Sequence, residues 1–237
     1  QGLFDEYIEK YKKLKLESKG AMRELAKLFL NNLYGKMASN TDSSFKLAYI
    51  KEDKTVGFMP VREFNKKPGY IPVGSAITSY ARNFTIRTAQ KNYHGKNKRG
   101  FIYADTDSIH CDLLPEELVD VPIHDKNFCH WKLESYWDKA IFTRQKTYIE
   151  HVTHEDGEPI EKPYYNIKCA GMPQRCKELF ELSMKPDEEI DMDSLTDEQK
   201  EFVKVKRTLK DFKIGLCVPG KLIPKRIRGG TLLVETT

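Results

Sequence analysis

Apolar residues recur along this chain with two different periods, and the switches between them divide it into elements. From the N-terminus to about residue 38 the period is helical, with a break at Ser18-Lys19-Gly20, so two helices are expected there. In the second, Ala21 to Ala38, the residues Met22, Leu25, Phe29 and Leu33 fall on one side. From Phe45 the pattern shortens to strand-like segments, Phe45 to Ile50 and Val56 to Val61, separated by the polar turn Lys51-Glu52-Asp53-Lys54. A helix from about Val73 to Tyr93 follows, with Ala76, Tyr80, Phe84 and Ala89 expected to pack on the next element and Arg82 pointing elsewhere. That element is a hairpin: the apolar run Phe101-Ile102-Tyr103 turns at Asp105-Thr106-Asp107 and leaves as Ser108-Ile109-His110. Beyond it, Phe142 to Val152 and Tyr164 to Cys169 read as strands around a turn at Asp156-Gly157. Phe212 to Val218 and Thr231 to Val234 are further strand candidates, with Pro219-Gly220 and Gly229-Gly230 flanking a basic loop. Between these two groups, Thr196 and Gln199 have the spacing of a capping box, which predicts a helix to about Arg207 after an acidic linker.

The acidic turn carries the first candidate chemistry. Two carboxylates one residue apart at a hairpin tip bring negative oxygens together, and hard divalent cations such as Mg²⁺ bind such oxygens and complete their shell with water and phosphate. Asp105 and Asp107 are therefore candidate ligands of a phosphoryl-transfer centre, although Asp and Thr are also ordinary turn residues. On the second helix Lys27, Asn31 and Tyr34 stand at i, i+4 and i+7 and form a polar stripe opposite the apolar one. A cation, an amide and a phenol on one stripe suit a nucleoside triphosphate, and they equally suit a solvated helix face.

Taken together, these segments resemble motifs of the family B DNA polymerases, and specifically the protein-primed branch of small tailed phages. The family's Lys-x-x-x-Asn-Ser-x-Tyr-Gly fingers helix is matched by Lys27, Asn31, Tyr34 and Gly35, with Asn32 where Ser is usual. Its Tyr-x-Asp-Thr-Asp-Ser palm motif is matched by Tyr103, Asp105, Thr106, Asp107 and Ser108, and the resemblance gives the main metal-ligand role to Asp107. Thr78 and Arg82 match a Thr-x-x-Gly/Ala-Arg motif that steadies the primer end; Lys146 and Tyr148 match a Lys-x-Tyr motif that lies against the primer strand. Lys168-Cys169-Ala170-Gly171-Met172 resembles the segment closing the palm, which adds Lys168 to the DNA-binding candidates.

The resemblance implies an α+β fold with an antiparallel palm sheet, packed helices, two-helix fingers and a β-rich thumb. The corresponding domains are fingers at 1–38, a β-hairpin insertion like the second terminal-protein region at 39–72, palm at 73–172, and thumb at 173–237 with an acidic helical insertion. It implies Mg²⁺ or Mn²⁺ as cofactor. Primer-template DNA, a dNTP, a polymerase portion N-terminal to these residues and a terminal protein are the implied partners. The family's other catalytic aspartate lies in a Ser-Leu-Tyr-Pro motif upstream of the Lys27 helix, and nothing from Gln1 to Gly20 supplies it. The 3′-5′ exonuclease portion is likewise not found. A start at Gln fits a fragment, a processed product or half of a split enzyme, and the chain alone is expected to have little or no polymerase activity. Two other readings remain open, a non-catalytic DNA-binding remnant and a metal-dependent nuclease.

Composition narrows this only slightly. The chain has 237 residues, 39% hydrophobic and 32% charged, with net charge +5 and a pI of about 8.8, a mild basic excess compatible with nucleic acid. Basic residues crowd Lys10 to Arg23, Lys91 to Arg99 and Lys221 to Arg228, whereas acidic residues gather from Asp187 to Glu201. That acidic stretch is expected to face solvent or a protein, since its sign opposes DNA. Five cysteines without a CxxC pair argue for reduced thiols. Cys129-His130 and His151-x-x-His154 lack the second pair that a zinc site needs. No apolar run is long enough to span a bilayer, so a soluble, cytoplasmic protein with no membrane partner is expected.

Overall fold

The computed structural model describes residues 2–39, 44–62, 67 and 69–235. The expected segment 39–72 therefore contains residues, 40–43, 63–66 and 68, that lie outside the described ones. The chain divides into two compact units, Gln1–Trp131 and Lys132–Thr237. Its strands form small antiparallel sheets and its helices pack beside them, the α+β class expected. No described helix is long and apolar enough to cross a membrane.

The first unit opens with α1 (Asp5–Glu17) and α2 (Gly20–Met37). Ser18 is extended and Gly20 has φ +58°, a left-handed conformation that glycine adopts without steric cost, so the chain reverses at the expected break. The helices meet through aromatic contacts: Tyr11 stacks on Phe29 at 4.8 Å, and the Tyr7 hydroxyl donates to the Phe29 carbonyl at 3.0 Å. The apolar stripe of α2 is less buried than its period suggests. Met22, Leu25 and Phe29 remain exposed, and the fully buried position is Ala26. A two-helix hairpin has one narrow contact line, so much of an apolar stripe stays outside it.

Strands β1 (Ser44–Ile50) and β2 (Val56–Arg62) form an antiparallel hairpin close to the expected bounds. The Asp53 carboxylate closes its turn by accepting from the Thr55 amide at 3.0 Å and the Thr55 hydroxyl at 2.6 Å. Helix α3 (Ile71–Lys91) then crosses the unit, packing on α2 and on the hairpin of β3 (Phe101–Asp105) and β4 (Ser108–Cys111). Its buried face coincides with the one hydrophobicity marks only at Ala89. Thr85, Thr88 and Ala89 are buried, together with Gly74 nearer the start, whereas Ala76 and Phe84 are exposed and Tyr80 is 78% exposed. A backbone hairpin lying close against a helix selects small side chains, and threonines serve because their hydroxyls find carbonyl acceptors. Phe84 stacks instead on Trp131 at 5.3 Å.

The end of α3 is locked by Asn92, which is fully buried. Its side-chain amide donates to the Thr88 and Val119 carbonyls at 2.9 and 3.0 Å and its side-chain oxygen accepts from the Val119 amide at 2.8 Å. Its backbone carbonyl receives the Phe101 amide at 2.8 Å, which starts β3. Gly100 is required at this junction, because a Cβ there would stand 2.4 Å from the Asn92 carbonyl oxygen.

In the second unit β5 (Ser135–Arg144), β6 (Thr147–Glu155) and β7 (Glu158–Cys169) form a meander. The stretch Phe142 to Val152 is thus not one strand. It spans a tight turn at Gln145-Lys146, where Lys146 has φ +55°. Among the described residues the strands expected to share one sheet pair within two, β3–β4 in the first unit and β5–β7 in the second. The cross-strand row Ile141, Ile149 and Ile167 faces a core built with α4 (Gln174–Leu182) and α5 (Asp197–Lys204). Thr196 and Gln199 form the expected capping box. Helix α5 stops at Lys204 rather than Arg207, because Arg207 folds back over Phe202 at 3.6 Å and donates to the Phe202 and Val205 carbonyls. Phe212 to Val218 is not a strand: Phe212 and Val218 are core residues of an irregular segment that bends at Gly215. The basic stretch after it forms strand β8 (Leu222–Ile227), paired with β9 (Gly230–Glu235), rather than a loop.

Candidate active site and nucleic-acid contacts

The acidic pair sits where expected, at the β3–β4 tip. Asp105 pairs with Ser108 across the hairpin, leaving Thr106 and Asp107 as a two-residue loop. Thr106 has φ +52°, an uncommon conformation for a β-branched residue, and the Asp107 amide donates to the Asp105 carbonyl at 2.6 Å. The Thr106 hydroxyl donates to the Asp105 carboxylate at 3.0 Å and the Ser108 hydroxyl to the Asp105 carbonyl at 3.1 Å. Asp105 is half-buried and Asp107 exposed. A contact that the sequence does not announce comes from α3: the buried Thr85 donates its hydroxyl to the Thr106 carbonyl at 3.1 Å.

The donor chemistry fits a hard divalent cation, since both side chains present carboxylate oxygens and Asp107 is open to solvent. Two carboxylates supply only part of a six-coordinate shell. Among the described residues no third His, Cys, Asp or Glu joins them.

Lys27, Asn31 and Tyr34 are all exposed on α2, on the stripe their spacing predicts. Gly74 brings α3 against the end of that helix, where a Cβ would stand 3.0 Å from the Ala38 methyl. Thr78 and Arg82 lie one turn apart on α3, between the contact with α2 and the contact with the acidic turn. The Thr78 hydroxyl donates to the Gly74 and Ser75 carbonyls at 3.2 and 3.0 Å, so it is oriented by its own helix, while Arg82 is exposed. From Gly74 to Thr85 is about 16 Å along the helix axis. One rigid element therefore sets the spacing between the α2 stripe and the carboxylates.

In the second unit Lys146, Tyr148 and Lys168 come together. Phe142, Tyr148 and Lys168 are register partners on β5, β6 and β7, and the Phe142 and Tyr148 rings stack at 5.2 Å. The Lys146 carbonyl at the preceding turn accepts from the Ala170 amide at 3.1 Å, tying that turn to the residues after Lys168. The result is an exposed patch with two lysines around a supported ring. Phe142 was legible only as a strand residue, because its partner is set by register. Next along β6, Glu150 is 2% exposed and accepts from Asn166 at 3.0 Å.

A family model described as DNA polymerase type B, organellar and viral, matches residues 1–123, just over half of the chain. The chain belongs to this family. Its similarity runs over the whole length of these 237 residues: it is 36% identical to the DNA polymerase of Bacillus phage B103 over 246 residues and 36% identical to that of Bacillus phage phi29 over 247. The DNA polymerase of Streptococcus phage Cp-1 is 35% identical over 236 residues. The alignments take in 99–100% of this chain and 35–37% of the relatives, so this type B polymerase chain spans little more than a third of their length. Phi29 DNA polymerase complexed with primer-template DNA matches its fold with a TM-score of 0.69 at 34% identity, over 99% of this chain and 38% of that one. The ternary complex of the same enzyme, with incoming nucleotide substrates, matches with a TM-score of 0.67 at 33% identity, over 99% of this chain and 37% of that one. Membership in a family of DNA polymerases implies a divalent metal cofactor in general terms.

Proposed function

We propose that these residues form the fingers, palm and thumb part of a DNA-directed DNA polymerase that adds a dNTP to a primer 3′-hydroxyl. The observation that supports this best is the β3–β4 tip, two carboxylates around a braced turn, in a chain alignable over 99% of its length with a polymerase ternary complex. Bound Mg²⁺ or Mn²⁺ would neutralise triphosphate charge and the charge that develops in the transition state. Asp107, assisted by Asp105, holds that cation. Lys27 contacts the triphosphate, and Asn31 and Tyr34 shape the nucleotide pocket. Thr78 and Arg82 steady the primer end, and Lys146, Tyr148 and Lys168 lie against the primer-template, the lysines on phosphate and the ring on sugar or base.

The fingers role falls to 1–38, a hairpin role like the second terminal-protein region to 39–72, the palm to 73–172 and the thumb to 173–237. The carboxylate that completes the metal shell belongs to further polymerase sequence of the kind the relatives carry. In this reading a polypeptide of these 237 residues does not extend a primer by itself. A terminal protein is a candidate donor of the first hydroxyl.

A complementation assay tests this. The polypeptide is mixed with one carrying the exonuclease and first palm motifs, primer-template DNA, dNTPs and Mg²⁺. Extension should appear only in the mixture, stop on chelation with EDTA, and fall by about a hundredfold or more in Asp107→Asn, because several kcal/mol of charge stabilisation is removed. Extension that tolerates Asp107→Asn would overturn the assignment. Degradation without extension would favour a nuclease, and salt-dependent binding with neither would favour a DNA-binding remnant.

A further inference from the structure

We propose that Thr85 is a positioning residue for the acidic turn, fixing from helix α3 the direction in which Asp107 presents its carboxylate to a divalent cation. This rests on the reading of the turn as a metal-holding site and extends it to a residue on another element. Threonine hydroxyls within helices commonly bond back to a carbonyl three or four residues earlier. Thr78 and Thr88 do so, donating to Gly74 and Phe84. Thr85, between them on the same helix, instead reaches out of it to the Thr106 carbonyl at 3.1 Å and is only 6% exposed.

The acceptor is well chosen. The peptide plane between Thr106 and Asp107 has two polar atoms: its carbonyl oxygen receives Thr85, and its amide donates to the Asp105 carbonyl at 2.6 Å. With both ends held, that plane cannot rotate, and its orientation sets the Cα–Cβ direction of Asp107. Thr106 needs the restraint. A β-branched residue at φ +52° is strained by about 1–2 kcal/mol, and such a conformation persists only where the surrounding contacts hold it. The same turn carries the Thr106 hydroxyl that orients the Asp105 carboxylate at 3.0 Å. A hydroxyl on a different element thus secures the carbonyl end of a peptide plane whose amide end the turn itself holds.

The test uses the whole chain, with Thr85→Val, Thr85→Ser and Asp107→Asn. Thr85→Val keeps the shape and removes the hydroxyl, Thr85→Ser restores the hydroxyl, and Thr85→Ala stands in should valine disturb packing. Mn²⁺ is titrated while the amide signals of β3 and β4 are followed by nuclear magnetic resonance, and exchange of the Asp107 amide with water is measured without metal. Wild type should show broadening at the hairpin tip that Asp107→Asn abolishes. Thr85→Val should need about tenfold more Mn²⁺ for the same broadening and exchange the Asp107 amide faster, and Thr85→Ser should return both toward wild type. Wild-type Mn²⁺ response and unchanged Asp107 exchange in Thr85→Val would overturn the positioning role while leaving the metal reading intact. Absence of Asp107-dependent broadening in wild type, with the polypeptide carrying the first palm motif added as well as without it, would overturn the metal reading and, with it, the role assigned to Thr85.

Discussion

Glu117 shows how a single side chain holds the far end of the acidic hairpin. Its carboxylate accepts from the Leu114 amide at 2.7 Å and from both terminal nitrogens of Arg99 at 3.0 and 2.7 Å, while Arg99 Nε donates to the Asp112 carbonyl at 3.0 Å. The backbone bond first, and Arg99 second, hold the Glu117 carboxyl below the ordinary glutamate range. A carboxyl depressed in the folded state contributes stability that is present above its unfolded pKa and lost as pH falls through the folded one. Glu117→Gln is therefore expected to lower stability at neutral pH and to converge with the wild type as pH falls below the ordinary glutamate range, so that the acid side of its stability curve is flatter, as thermal unfolding at stepped pH would measure. Asn92 is the larger structural element of the same region. Asn92→Leu removes the three side-chain hydrogen bonds of a fully buried amide, to the Thr88 carbonyl and to the Val119 carbonyl and amide, and should cost about 3 kcal/mol, read as a shift in urea midpoint. Neither Asn92 nor Thr85 stood out in the sequence, because a buried Asn or Thr is spelled like a surface one until its acceptors are known.

Elements were legible in proportion to how local their determinants are. The helix break at Gly20, the β1–β2 hairpin, the β3–β4 tip and the Thr196 cap depend on residues within a few positions of one another, and each stands close to where the pattern puts it. Thr196→Ala should cost about 1 kcal/mol by removing the cap of α5, with a lowered unfolding midpoint. The misread elements depend on distant partners. The Phe212 to Val218 run is apolar because it enters a core, not because it pairs as a strand. The β5–β6 boundary was hidden because Lys146 occupies a positive-φ turn position that usually calls for Gly or Asn. Such a choice makes sense if the lysine is kept for its charge. Lys146→Gly should stabilise the hairpin by about 1 kcal/mol while weakening DNA binding, a divergence that thermal unfolding and a binding titration together would reveal.

Across the whole molecule, charge is distributed unevenly. From residue 132 onward Lys and Arg equal Asp and Glu in number, so the net +5 resides in residues 1–131. Within the second unit the balance is local: the acidic stretch from Asp187 includes residues whose neighbours Ile190, Phe202 and Val203 enter the core, while Lys146 and Lys168 gather on the β5–β7 patch. The phosphate contacts proposed for Arg82 and Lys168 predict counterion release on binding. Arg82→Ala and Lys168→Ala are each expected to weaken primer-template binding across sequences and to reduce the slope of log K against log salt by about one, measured by fluorescence anisotropy. The sequence by itself determined the family and the acidic hairpin, along with the helical stripe of Lys27, Asn31 and Tyr34, because each is written in residue types at short, regular spacings. Only the tertiary structure decided which face of α3 is buried, which ring supports Tyr148, and that Thr85 braces the turn between the two aspartates. Those outcomes follow from strand register and from close approach of distant backbone, and neither quantity is local along the chain.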